Sequence, residues 1–311
     1  MLYIYTMIAM IGIYSILTLS TNLLIGYGGI VSMSQASIFG IGCYTVAILT
    51  MAGWNWWLAL IPAIIFTVIV NVLLTLPSLR ASGFCYMVIT FAFAKFMTTG
   101  YSSWGITGAN YGLFGIPRAS IFGLSINNGL RQMIFVLCFL VVCFYIANRL
   151  IKSPYGQLVE AMRQEPIAVD ALGKSTLKIK VINSAVSGVF AAIAGGLYAQ
   201  YITYIESSNF NQDVSFNLTV YVFLGGAATM GGSIAGPIFM LLIPQLISLL
   251  PLPTSMVGPF QQLLYGLLLV GFMMFKPSGL VSKKSVEDQG KGFFAKLFKK
   301  KPERSVTDGN S

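Results

Sequence analysis

The stretch YGQLVEAMRQEPIAVDALGKSTLKIKVIN, residues 155–183, decides how the rest of the chain is read. It carries Glu160, Glu165, Asp170, Arg163, Lys174, Lys178 and Lys180, while long runs on both sides of it are apolar. Inside it Pro166 follows Glu165, and Gly173 closes the same short segment. Proline suits the first position of a helix, and glycine suits the residue just past its end. Glu165 then lies at the positive end of the helix dipole and Lys174 at the negative end. The enclosed residues Ile167, Ala168, Val169, Ala171 and Leu172 are apolar, with Asp170 the exception. A short apolar helix in a charged, aqueous loop needs something to bury against. A separate soluble protein is the expected surface.

Working outward, composition fixes the class. The chain has 311 residues, of which 56% are hydrophobic and 9% charged, with mean hydropathy +0.79. Soluble domains carry about 25% charged residues. The chain is therefore expected to be an all-α polytopic membrane protein, since a helix satisfies its own backbone in lipid. There is no histidine, which removes Ser-His-Asp chemistry, Cys-His chemistry and histidine metal sites. No catalytic residue and no metal ligand is assigned. Cys43, Cys85, Cys138 and Cys143 lie in apolar runs without a CxxC pair and read as small buried hydrophobes. The net charge of +10 is concentrated on one side of the membrane and so does not imply nucleic acid.

Spanning the hydrocarbon core takes about 20 apolar residues. The segments 3–25, 30–52, 57–79, 84–103, 132–150, 180–204, 214–231, 234–250 and 258–275 meet or approach this, giving nine spans within a range of 8–10, some of them interrupted. Residues 1–281 read as one transmembrane domain with a cytoplasmic loop at 151–179. Residues 282–311 read as a basic cytoplasmic tail, either lying on anionic lipid through Phe294, Leu297 and Phe298 or solvated. With the 151–179 loop inside, sixteen Lys and Arg fall inside and only Arg118 and Arg131 outside, with Lys95 within a span. This puts the C-terminus in the cytoplasm. An odd span count puts the N-terminus outside, and the first segment reads as a retained span and not a cleaved signal. The tryptophans at 54, 56, 57 and 104 are expected at the membrane interface.

Three features could carry transport. LIGYGGIVSMSQASIFGIGCY, residues 24–44, brings Gly28, Gly29, Ser32, Ser34 and Gln35 into an apparent span. VFLGGAATMGGSIAGPIF, residues 222–239, brings Gly225, Gly226 and Thr229. Each reads either as close helix packing or as interrupted backbone lining a pathway. Lys95 sits mid-span in ITFAFAKFMTT, where a charge costs about 2.5–3.5 kcal/mol; Asn71 and Gln200 are its candidate partners. AVDALGKST, residues 168–176, approaches a phosphate-binding loop, but Ala168 stands at its first glycine and no buried strand precedes it. ATP is therefore not expected to bind this chain.

Five segments together resemble ABC importer permeases for branched-chain amino acids. They are NLLIGYGGIVSMSQASIFGIGCYT (22–45), TGANYGLFGIP (107–117), RQEPIAVDALGKSTLKIKVINSAVSGVFAAIAGGLYA (163–199), LGGAATMGGSIAG (224–236) and FKPSGL (275–280). Of the two permease types, the chain is more similar to the M-type. The resemblance implies a type II-importer-like permease with a homologous second permease, two cytosolic ATPase subunits that bind ATP and magnesium, and an extracytoplasmic binding protein, in a bacterial plasma membrane. It also implies that the 163–173 helix couples to an ATPase, through Arg163, Glu165, Ile167, Ala168, Asp170, Ala171, Leu172 and Gly173. The sequence departs from the family where Lys95 replaces a common acid, and where Ser34 and Ala228 replace frequent glycines. Urea and short-amide importers use similar permeases and remain an alternative. A self-sufficient secondary transporter or channel would want membrane-embedded carboxylates, and Glu160, Glu165, Asp170, Glu206 and Asp213 all read as lying outside mid-span.

Overall fold

The computed structural model describes residues 2–79, 83–118, 120–121, 124–125, 129–248, 254–275 and 280. The tail at 282–311, Arg80, Lys276 and most of the FKPSGL motif lie outside the described residues. The architecture is helical: α1 (Leu2–Asn22), α2 (Gln35–Met51), α3 (Trp56–Thr75), α4 (Gly83–Ser103), α5 (Gly129–Lys152), α6 (Pro154–Gln164), α7 (Pro166–Ala171), α8 (Thr176–Ile202), α9 (Gln212–Gly225), α10 (Gly232–Ser248) and α11 (Thr254–Phe275). Among the described residues, five helices are long and apolar enough to cross a membrane: α1, which continues through Tyr27, and α3, α4, α5 and α8.

Around the long α8 the bundle is built. Its stripe of Gly188, Ala191, Ala192, Ala194, Gly195 and Gly196 lets neighbours approach as closely as backbone allows. A Cβ on Gly195 would stand 2.6 Å from the Cys43 nitrogen and the Phe39 oxygen of α2, and one on Gly196 would stand 2.9 Å from Leu60 of α3. α1 joins the same core through Ser20 and Leu23. In contrast, α3, α4 and α5 are mostly exposed on one side, with Ile61, Ile65, Phe84, Phe91, Val141 and Tyr145 facing outward. Apolar faces of this kind meet lipid or a partner chain.

Two expected spans are shortened. The 24–44 segment, open between two readings, is both interrupted and closely packed: α1 ends in one π-helical turn, Leu23–Tyr27, residues 28–34 leave the helix, and α2 starts only at Gln35. The expected span at 214–231 stops at Gly225, because residues 226–231 turn the chain back into α10. Gly225 and Gly236 allow the two arms to close, since Cβ atoms there would stand 2.1 Å from the Gly232 and Tyr221 carbonyls.

The connection between α4 and α5 carries short strands. Leu113–Phe114 (β1) pairs antiparallel with Tyr204–Ile205 (β4), and Ser120–Ile121 (β2) pairs with Leu124–Ser125 (β3). After β4, Glu206 accepts hydrogen bonds from Ser208 and from Tyr204 at 2.9 Å, which hold its carboxyl below the usual carboxylate range.

Two expectations fail here. Trp56 is 2% exposed and donates to the Gly196 carbonyl at 3.1 Å, so it is a packing residue, whereas Trp54, Trp57 and Trp104 are exposed. Cys85 and Cys138 face outward, and only Cys43 and Cys143 are buried.

Candidate functional site

One end of the bundle carries α6 and α7. Ser153 caps α6, accepting from the Gly156 amide at 3.4 Å, and Pro154 takes the first helical position. The Tyr155 hydroxyl donates to the Ile179 carbonyl at 3.1 Å, and burial pushes its pKa up to about 12. Arg163, in the last turn of α6, donates to the Gly26 carbonyl in the π turn. Glu165 forms the corner between α6 and α7, and its side chain makes no cap hydrogen bond there.

α7 begins at Pro166 and ends in a paired C-terminal turn. The Gly173 amide donates to the Asp170 carbonyl at 2.9 Å and the Lys174 amide to the Val169 carbonyl at 3.2 Å, with Gly173 at φ +73°. Only Val169 faces the bundle. Ile167 is 80% exposed and Leu172 78%, and Ala168 and Ala171 are exposed beside them. Asp170 belongs elsewhere. Its carboxylate accepts from the Thr176 amide at 3.0 Å and the Thr176 hydroxyl at 3.1 Å, which fastens α7 to the start of α8. The AVDALGKST run is thus a helix end, a turn and a helix start, with a helix before it and not a strand.

The two glycine-rich segments meet. Asn22 of α1 donates to the Thr229 carbonyl at 2.9 Å and to Ser233 at 2.8 Å, and its Oδ1 accepts from the Ala228 amide at 3.0 Å. A Cβ on Gly26 would stand 2.6 Å from the Ala228 nitrogen. Across the π turn, Asn183 of α8 donates to the Leu23 carbonyl at 2.8 Å. The same contact zone explains Gly28, where a Cβ would meet the Asn183 amide at 2.5 Å. Gly29, at φ +67°, lies against Arg163.

Most of the candidate pathway residues are packed. Ser32, Ser34 and Gln35 are nearly fully buried, and Gly225, Gly226 and Thr229 sit inside the α9–α10 turn. Gln35 donates to Ser20 at 2.7 Å and Ser187 at 2.9 Å, joining α2 to α1 and α8. A cavity of about 210 Å³ opens beside Gly28, Gly29, Tyr86, Arg163, Pro166 and Lys180, connecting the first glycine-rich segment with α6 and α7.

Lys95 has neither expected partner. Asn71 donates to the Ser184 carbonyl at 2.8 Å between α3 and α8, Gln200 is buried on α8, and Lys95 itself is exposed on α4. Asp213, expected outside mid-span because it precedes an apolar run, instead lies level with the middle of α4. The structure lays the start of α9 along the middle of α4, with Gln212 donating to the Phe91 carbonyl at 2.9 Å.

Comparisons agree with this architecture. The family described as a branched-chain amino acid transport system permease component matches residues 3–274. The LivM high-affinity branched-chain amino acid permease of Salmonella typhimurium is 27% identical over 294 residues, covering 86% of this chain and 68% of the relative. A probable LivM of Methanocaldococcus jannaschii is 26% identical over 326 residues, covering 88% and 92%. The galactofuranose permease YtfT of Escherichia coli is 24% identical over 220 residues, covering 70% and 62%. No solved structure matches the chain at a significant level. With nearly all of its helical core matched, the chain belongs to the family of branched-chain amino acid transport system permease components.

Proposed function

We propose that this chain is the membrane-spanning subunit of an ATP-driven importer for branched-chain amino acids. α7 is the observation that supports it: a short helix tied to α8 through Asp170, with Ile167, Ala168, Ala171 and Leu172 turned away from the bundle. Apolar side chains held out in water by a rigid frame fit a groove on a soluble partner. That partner is one of two cytosolic ATPase subunits, which carry the ATP and magnesium. A homologous permease completes the passage, and an extracytoplasmic binding protein supplies the solute. The surplus of lysine and arginine around 149–180 supports a cytoplasmic side for this end, in a bacterial plasma membrane with the C-terminus inside and the N-terminus outside.

Movement of α7 reaches the bundle through Arg163. Its bond to the Gly26 carbonyl ties the end of α6 to the π turn, and Asn22 ties the end of α1 to the α9–α10 turn. Single π turns inside α-helices are found frequently at functional sites. Displacing α6 would therefore shift both glycine-rich segments together.

Replacing Ala168 or Ala171 with Asp tests the docking role, because it puts a charge on the exposed apolar face without touching the bundle. Loss of co-purifying ATPase and of leucine uptake is expected, with the protein still inserted in the membrane. Co-purification at the wild-type level would overturn it.

A further inference from the structure

Lys95 stands near the middle of α4, about 18 Å from the Gly83 end and about 12 Å from the Ser103 end at 1.5 Å per residue. Phe91, Lys95 and Thr98 share one face of that helix by their spacing. The flanking two bond the segment leading into α9: the Phe91 carbonyl accepts from Gln212 at 2.9 Å, and Thr98 donates to the Phe210 carbonyl at 3.4 Å. Asp213 follows Gln212 directly and is exposed. Asn211 donates to its Oδ2 at 3.3 Å. No ion pair joins Lys95 to Asp213 among the described residues. An exposed base at the middle of α4 and an exposed acid at the start of α9 therefore lie at similar depth, and α4 bonds the segment next to Asp213 on either side of Lys95; among the described residues neither has an ion-pair partner.

Lipid is a poor neighbour for such a face, since one charge at the bilayer centre costs about 2.5–3.5 kcal/mol. Exposed phenylalanines lie close along the same helices: Phe91, one turn before Lys95, and Phe96 on α4, and Phe216 on α9, one turn beyond Asp213. We propose that this face of α4 and α9 receives a zwitterionic amino acid with an apolar side chain, Lys95 taking the carboxylate and Asp213 the ammonium. The proposal rests on the importer function inferred above and adds the residues that meet the solute. A zwitterion satisfies both charges at once and leaves its side chain for the phenylalanines. Urea, or the galactofuranose for which one relative is named, is neutral and would leave both charges desolvated without a counter-charge.

Leucine uptake into vesicles holding the complete importer, with its second permease, ATPases and binding protein, tests the pair. Lys95→Gln and Asp213→Asn should each lower uptake about tenfold, the loss of one charged hydrogen bond, in complexes that retain every subunit. The exchanged variant, Lys95→Asp with Asp213→Lys, should recover much of the loss, because the solute can bind reversed. Single variants within twofold of wild type would overturn the assignment. So would complexes that shed the second permease, since the two charges would then be holding that subunit. Absence of leucine uptake by the wild-type importer would instead overturn the importer function itself.

Discussion

Ala228 shows how a single residue records a conflict between sequence and backbone. It adopts φ +58° in the turn between α9 and α10, a left-handed conformation costing an L-residue about 1–2 kcal/mol. Asn22 holds it there by accepting its amide hydrogen. Ala228→Gly should therefore stabilise the folded protein by about 1 kcal/mol, read as a higher Tm of the detergent-solubilised protein. Ser34, the other residue standing where relatives of this type frequently have glycine, sits at φ −99° and needs no glycine. Sequence flagged both positions alike, and only the backbone angle separates them.

Among the elements, α7 was the most legible. Proline at its start, glycine past its end and an apolar interior need only local rules, and the helix forms at Pro166–Ala171 as expected. Asp170 was not legible as the tie to α8, because its partner Thr176 is chosen by the turn between the two helices. Arg163 was placed with the docking surface by family likeness; its bond to Gly26 spans 137 residues and no local pattern shows it. Arg163→Ala should keep the ATPase bound while lowering leucine uptake about tenfold, since docking stays and the tie to the π turn goes. Equal loss of binding and uptake would return Arg163 to the docking surface. α9 was read at the wrong length because its apolar run continues past Gly225, and a glycine-rich turn does not interrupt hydropathy. The two exposed cysteines were misread for a related reason: in a membrane protein an apolar run has an outside as well as an inside.

For the whole molecule, α8 and α1 are the packed centre, and α3, α4 and α5 present one apolar side outward. Under the proposed role, in which partner subunits complete the passage and supply the drive, the chain should show neither ATP hydrolysis nor solute movement when reconstituted alone. Either activity in vesicles of the purified chain would contradict that role. Hydropathy, composition and capping residues by themselves determined a helical membrane protein with a short apolar helix in its charged loop, and left the first glycine-rich segment open between close packing and an interrupted helix. They could do so because lipid solubility and helix capping depend on residues near one another in the chain. The tertiary structure alone decided that Asn22 would clamp a turn more than 200 positions away, and that Asp213 would lie alongside the middle of α4. Such pairings depend on which helix faces come together, a choice made by packing across the bundle and written in no single stretch.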